Sequence, residues 1–237
     1  MAAMKRSLDS EILDSDNIPA ASAARSYREL AAIHRVLGDT NCLILALCRH
    51  PVPIRRVLDI GCANGAILER VTEALGVEGI GIDMSPSVVR ASARITIVRA
   101  DAVREALPPA DVAFSLHVAH HLSSSELVQL IQNVGRSCPR FILIDLVRSR
   151  VALGLFRAFI APFVSRITAA DGQTSIRRAY APSELVALAE EALGGTGGIF
   201  HHSVSLVGIR QVVDISYDRN ARKADWEVEV NARILDR

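Results

Sequence analysis

Four cysteines are all the chain has, Cys42, Cys48, Cys62 and Cys138, and no two stand in Cys-x-x-Cys spacing. That spacing speaks against a thiolate metal site or a redox pair and fits reduced thiols in the cytoplasm. An excess of one charge is lacking as well: 27 basic and 26 acidic residues leave a formal net charge of +1, and the arginines are scattered. Such a balance gives no electrostatic footprint for a nucleic-acid backbone. No apolar run approaches the ~20 residues that a membrane span needs. Met1 to Asn17 is acidic and has no apolar centre, so it does not read as a secretory signal. No internal repeat or low-complexity tract stands out. What is present is an ordinary globular composition, 50% hydrophobic and 22% charged over 237 residues, enough for one core with an appendage.

The most informative stretch is Arg55-Arg-Val-Leu-Asp-Ile-Gly-Cys-Ala-Asn-Gly65. It reads as a short buried strand, a glycine-bearing turn and then a helix over Ala66 to Leu75. A strand feeding such a turn at a helix N-terminus is the nucleotide end of an open α/β sheet. The helix start leaves amide donors free, and glycine lets the backbone approach a ligand. Asp83 closes the next strand about twenty residues past this loop, where a carboxylate accepts ribose hydroxyls. A dinucleotide fingerprint wants a second glycine where Ala63 stands, because the backbone there meets a pyrophosphate. Ala63 therefore tells against NAD or FAD and suits a cofactor without phosphate, such as S-adenosylmethionine, for which Asp59 at the strand end is also well placed.

The rest of the pattern alternates as a doubly wound sheet does. Strands are expected at Val57–Ile60, Val77–Ile82, Ile95–Val98, Val112–Leu116 and Phe141–Leu146, with helices at Ala66–Leu75, Pro86–Ala93 and Ser124–Arg136. Ser123-Ser-Ser-Glu126 is a capping box that marks the start of the last of these. Ala181-Pro-Ser-Glu184 opens a further helix to Leu193, and His201–Ser203 and Ser205–Val213 read as the last two strands. Before the sheet, Ser22–Leu37 and Thr40–Cys48 are helical, and Met1 to Ala20 is polar. The expected layout is an N-terminal helical cap over 1–53, a core over 54–213 with a helical insertion at 148–180, and a tail over 214–237. In that tail Trp226-Glu-Val-Glu-Val230 alternates like a strand, while Trp226, Val230 and Ile234 align on a helix; both readings stay open.

Four motifs now coincide: Val57-Leu-Asp-Ile-Gly-Cys-Ala-Asn-Gly65, Gly81-Ile-Asp-Met84, Ala100-Asp-Ala102 and Ser115-Leu-His-Val-Ala-His-His-Leu122. In this order, each at a strand end, they resemble the successive motifs of class I methyltransferases. Asp145-Leu-Val-Arg-Ser-Arg150 and Asp171 to Leu185 are further similar to a bacterial group linked to polyketide and phenolic-lipid pathways, over roughly Tyr27 to Arg210. The resemblance implies a Rossmann-like seven-stranded sheet with its last strand antiparallel, and S-adenosylmethionine as cofactor. It implies that Gly61, Cys62, Ala63 and Gly65 form the cofactor loop, that Met84 packs against adenine, and that Asp101, with Ala102 beside it, accepts from the exocyclic amine. Ser115 and Leu116 would face the methionine arm. N-terminal helices in this family commonly help to cover the active site; simple packing on the sheet is the other reading.

The reaction itself points to further residues. Methyl transfer is an in-line displacement, so positioning supplies much of the rate. An oxygen acceptor must also lose a proton, which histidine accepts near neutral pH. His117, His120 and His121 lie just past the fourth strand, at the edge where ligands bind; His120 or His121 is the expected base, and a structural, hydrogen-bonded role is the other reading for each of the three. The His117-x-x-His120 spacing also suits a metal, but no acidic or cysteine ligand stands beside it, so none is expected. His201 and His202 read as structural.

In the insertion, Phe156, Phe159, Ile160, Phe163, Val164 and Ile167 recur at helical spacing. Three of the chain's six phenylalanines fall here. The face either packs on the domain or lines a pocket, in which case Phe156, Phe159 and Phe163 hold the acceptor, with Arg178 and Tyr180, and Arg177 beside them, orienting it. The expected activity is methylation of a small, aromatic or lipophilic hydroxyl compound of phenolic or polyketide type. N- or C-methylation in quinone or natural-product metabolism, and a binding module without turnover, are the alternatives. A homodimer contact through the tail is conceivable.

Overall fold

The computed structural model describes residues 4–15, 18–49, 52–84, 93–205 and 207–217. The helix expected at Pro86–Ala93 and the pattern at Trp226–Ile234 lie outside them.

Two helices lead in, α1 (Ala20–Leu37) and α2 (Asp39–Cys48), bent by 56° at Gly38. Gly38 has φ 70°, the left-handed conformation that ends a helix without the cost a Cβ would bring. The alternation then runs β1 (Arg56–Ile60), α3 (Ala66–Leu75), β2 (Glu78–Asp83), β3 (Ile95–Arg99), β4 (Val112–Leu116), α4 (Ser124–Val134) and β5 (Arg140–Leu146). The insertion forms α5 (Arg150–Phe159), a 3-10 turn at Ala161–Phe163 and α6 (Arg166–Arg178). After it come α7 (Pro182–Leu193), β6 (Ile199–Ser205) and β7 (Arg210–Ser216).

The seven strands are ordered β3-β2-β1-β4-β5-β7-β6. β7 runs antiparallel to both of its neighbours, and the other pairings are parallel. Burial on both faces explains the unbroken apolar runs of β1, β4 and β5, because parallel strands are covered by helices on each side. Along β1 the side chains alternate as the pleat requires. Val57 joins Leu43 and Leu47 of α2 and Leu68 and Val71 of α3 on one face. Leu58 and Ile60 join Leu127 and Ile131 of α4 and Leu185 of α7 on the other. Each such fully buried side chain contributes about 1.5–3 kcal/mol. α2 is thus a core helix, whereas α1 lies over the carboxyl edge of the sheet, where it contributes Tyr27, Leu30 and His34 to a cavity. The capping box forms as expected: Ser123 Oγ accepts from Glu126 N, and Glu126 Oε2 accepts from Ser123 N.

The polar leader also docks. Ile12 N and Leu13 N donate to the two carboxylate oxygens of Asp171 in α6, and Ser7 N donates to Arg177 O. Residues 4–14 therefore lie as a strap across the insertion. Among the described residues, no single helix is long and apolar enough to cross a membrane.

Candidate active site

β1 and β4 are adjacent in the sheet, so their carboxyl ends bring two loops together. At Gly61 (φ 76°) an added Cβ would stand 2.3 Å from Val118 Cγ2, so only glycine admits the second loop this close. Ala63 takes a left-handed φ of 47°, at a cost of roughly 1–2 kcal/mol for a residue with a Cβ. Its amide donates to Asp83 Oδ2 at 2.8 Å, which offsets that strain and ties the loop to the end of β2.

These loops open onto a cavity of about 1110 Å³. One half is lined by Asp59, Gly61, Cys62, Ala63, Asp83, Met84, Asp101, Ala102 and Leu116. Gly65 and Ser115 do not reach its surface: Gly65 caps α3 from below, and Ser115 is buried within β4. Asp101 is engaged locally, accepting from Val103 N and Arg104 Nη1. Burial and the nearby charge of Asp83 push the Asp59 carboxyl up to about 8.

The other half of the cavity carries three histidines on a tightly held loop. His117 has φ 59° and donates its backbone N–H to Ile144 O. Asp145, at the carboxyl end of β5, accepts from both His120 N and His120 Nδ1 at 2.7 Å. Burial opposes a charge on His120, but the Asp145 and Glu11 carboxylates outweigh it and push the imidazolium up to about 9. Burial likewise opposes ionisation of Asp145, yet the two histidines hold its carboxyl well below the usual range. Glu11, from the strap, stands 3.5 Å from His120 Nε2 and 3.9 Å from His121 Nε2, and its Oε1 accepts from Ser175 Oγ. His117 links this group to a second one, its Nδ1 standing 3.8 Å from Asp145 Oδ1. Its Nε2 lies 3.0 Å from Asp39, its ring stacks on His34 at 4.4 Å, and Asp39 is completed by Arg210 at 2.8 Å.

The expected acceptor residues part company. Phe156 is buried and Phe159 is exposed, and both line the cavity. Phe163 does not: it is 82% exposed and off the lining. The apolar stripe assumed one helix, but α5 stops at Phe159 and the 3-10 turn at Pro162 redirects Phe163 outward. Arg178 and Tyr180 do not line the cavity either. Arg178 donates to the carbonyls of His120 and His121, and Tyr180 Oη donates to Leu122 O. Arg6 caps the Tyr180 ring at 3.8 Å and donates to the same Leu122 carbonyl. All three brace the histidine loop from behind. Glu11, Asp14, His34, Asp39 and Asp145 are the site's unforeseen members. Only Asp145 had a usable signal, its place at a strand's carboxyl end.

A methyltransferase-domain family model matches residues 57–139. No curated protein matches the chain. Among solved structures, the plantazolicin methyltransferase BpumL in complex with S-adenosylhomocysteine superposes with a TM-score of 0.68 at 12% identity, over 86% of this chain and 92% of that one. The methyltransferase SibL in its apo form follows at 0.58 and 14%, over 84% and 59%. The methyltransferase domain of bacterial CtHen1 reaches 0.56 and 15%, over 75% and 96%. Residues 57–139 thus match a methyltransferase domain, and the chain has the fold of class I S-adenosylmethionine-dependent methyltransferases.

The cofactor half of the cavity fits S-adenosylmethionine on its own terms. Asp59 Oδ2, on the cavity lining near the end of β1, is buried without a hydrogen-bond partner. Orphaned buried polar atoms are costly, on the order of 1–3 kcal/mol each, unless a ligand satisfies them. A cofactor bearing an ammonium, a carboxylate and a ribose diol supplies such groups.

Proposed function

We propose that the methyltransferase methylates a hydroxyl oxygen of a small, largely apolar molecule, of phenolic or polyketide type. The observation that carries this is the composition of the acceptor half. Tyr27, Leu30, Ile33, Phe156, Phe159 and Ile176 form apolar walls, and one polar patch, Glu11 with His120 and His121, lies among them. Apolar walls with a few convergent polar groups hold and orient a small organic ligand. In keeping with this, the plantazolicin methyltransferase BpumL was solved with desmethylPZN analogues.

Asp83 is assigned to the ribose diol, Asp59 to the amino-acid end, the Gly61–Ala63 turn and Leu116 to the methionine arm, and Met84, Asp101 and Ala102 to the adenine. When bound, S-adenosylmethionine supplies a methyl group on a sulfonium. The apolar walls then exclude water and hold the acceptor in line, and an unperturbed phenol, ionising near pH 10, still has to lose its proton. That loss is assigned to the patch of His120, His121 and Glu11. His117, bound to Asp39, is assigned to positioning the loop.

A methyl-transfer screen across phenols, polyketide-type alcohols, quinols and amines, read by product mass, tests this. O-methyl products are expected. His121→Ala should lower kcat by ~10²–10⁴-fold, with cofactor affinity unchanged. Products methylated only on nitrogen or carbon would overturn the assignment, and cofactor binding without turnover of any acceptor would leave a binding module.

A further inference from the structure

Glu11 Oε1 faces His120 Nε2 at 3.5 Å and His121 Nε2 at 3.9 Å. Both separations exceed those of a good N–H···O hydrogen bond, which end near 3.2 Å. They approach the spacing of ligand atoms around a tetrahedral zinc. Bonds of about 2.0–2.2 Å to nitrogen and carboxylate oxygen put neighbouring ligand atoms roughly 3.3–3.6 Å apart. Behind the His120 ring a carboxylate stands as a metal site requires, and behind the His121 ring one stands beyond hydrogen-bond reach. Asp145 Oδ1 accepts from His120 Nδ1 at 2.7 Å, and Asp14 Oδ2 stands 3.6 Å from His121 Nδ1. A carboxylate behind a ligating histidine keeps the Nδ1 proton in place, and the ion takes the position of the proton on Nε2. Ser175 Oγ fixes Glu11 from α6.

The second cluster makes the contrast. His34, Asp39 and His117 also lie within reach of one another. There the contacts are 3.2 and 3.0 Å, ordinary hydrogen bonds, and the other Asp39 oxygen already holds the Arg210 guanidinium. Both Asp39 oxygens are thus already engaged without an ion.

We propose that Glu11, His120 and His121 bind a divalent transition-metal ion of zinc type in the acceptor half of the cavity. The inference rests on the reading that the acceptor oxygen meets this patch, and states how its proton is lost. Three protein ligands leave a fourth position for the acceptor hydroxyl, as in two-histidine, one-glutamate catalytic zinc sites. The ion polarises the hydroxyl, whose O–H bond breaks and whose proton passes to water at the cavity mouth. The oxygen's electron pair forms the new C–O bond as the S–CH3 bond breaks and its pair stays on sulfur. The products are the methyl ether and S-adenosylhomocysteine. The strap that carries Glu11 thereby becomes part of the site.

The test uses the full chain, stripped with a chelator and dialysed. Calorimetric titration with zinc should show one ion per chain, and cobalt in its place should give the visible absorption of a four-coordinate site. Glu11→Gln and His121→Ala should each weaken zinc at least tenfold while circular dichroism stays unchanged. Cys48→Ser, at an exposed thiol, should bind zinc as the parent does. Absence of zinc binding, or binding indifferent to both ligand substitutions, overturns the site. Full methyl transfer by the metal-free chain overturns its catalytic role and leaves the proposed function standing. Zinc binding with no acceptor turned over has the reverse meaning: the site stands and the proposed function falls.

Discussion

A Cβ on Gly172 would fall 2.2 Å from Cζ of Phe156. The absent side chain in α6 thus makes the seat in which the Phe156 ring of α5 lies, and both residues line the cavity. Glycine in a helix interior ordinarily costs about 0.5–1 kcal/mol relative to alanine. Here the sign should reverse. Gly172→Ala is expected to destabilise the protein by about 1–3 kcal/mol, as overpacking of a tight contact does, and to raise the acceptor KM by displacing the ring. A urea-unfolding curve decides it, and a gain in stability would mean that the two helices are not seated as described.

The three phenylalanines of the insertion should separate cleanly. Phe156→Ala removes a buried ring and should cost about 3–5 kcal/mol. Phe159→Ala, at a side chain that is exposed yet lines the cavity, should leave stability within about 0.5 kcal/mol and raise the acceptor KM several-fold. Phe163→Ala should change neither. Thermal melts alongside acceptor saturation curves check all three, and equal kinetic effects at Phe159 and Phe163 would contradict the assigned cavity wall.

Asp59, pushed up to about 8 by burial and Asp83, is mostly protonated at pH 7 before the cofactor arrives. If the cofactor's ammonium meets Asp59, its positive charge favours the ionised carboxylate. Binding of S-adenosylmethionine at pH 7 should therefore release close to one proton. Calorimetry in phosphate and in Tris should give enthalpies that differ accordingly, and Asp59→Asn should abolish the difference. Buffer-independent heats in the parent protein would place the ammonium elsewhere.

Acid stability provides a fourth check, away from the cavity. Glu29 of α1 accepts from Ser165 N at the start of α6 and pairs with Arg25. Burial alone would raise its carboxyl, but its hydrogen bonds with Thr168, Ser165 and Arg25 hold it at about 2, below an ordinary 4.5. A depressed carboxylate stabilises the fold above its unfolded value, and that contribution is lost as pH falls through the folded one. Stability should thus decline between pH 4.5 and 2. Glu29→Gln should be weaker by ~1 kcal/mol near neutrality and should lack this part of the decline. Parallel acid-unfolding curves for the two proteins would contradict the link.

What the sequence determined by itself was local and repetitive. Burial on both faces turned β1, β4 and β5 into unbroken apolar runs, and the Gly61–Gly65 turn marked the cofactor end. Ser123 and Glu126 announced a helix start because a capping box closes within four residues. Each signal lies inside a handful of neighbours, so periodicity and turn chemistry carry it. The acceptor site obeys no such rule. Glu11 reaches His120 across more than a hundred residues only because the strap lies over α6, fastened by Asp171. Arg178 and Tyr180 looked like acceptor ligands in the chain, yet they face the back of the histidine loop because α6 ends behind it. The Phe163 ring left its stripe at one proline-bearing turn. Contacts between distant segments follow from how elements pack, and packing is settled by the buried surfaces of the whole molecule rather than by any stretch of its chain.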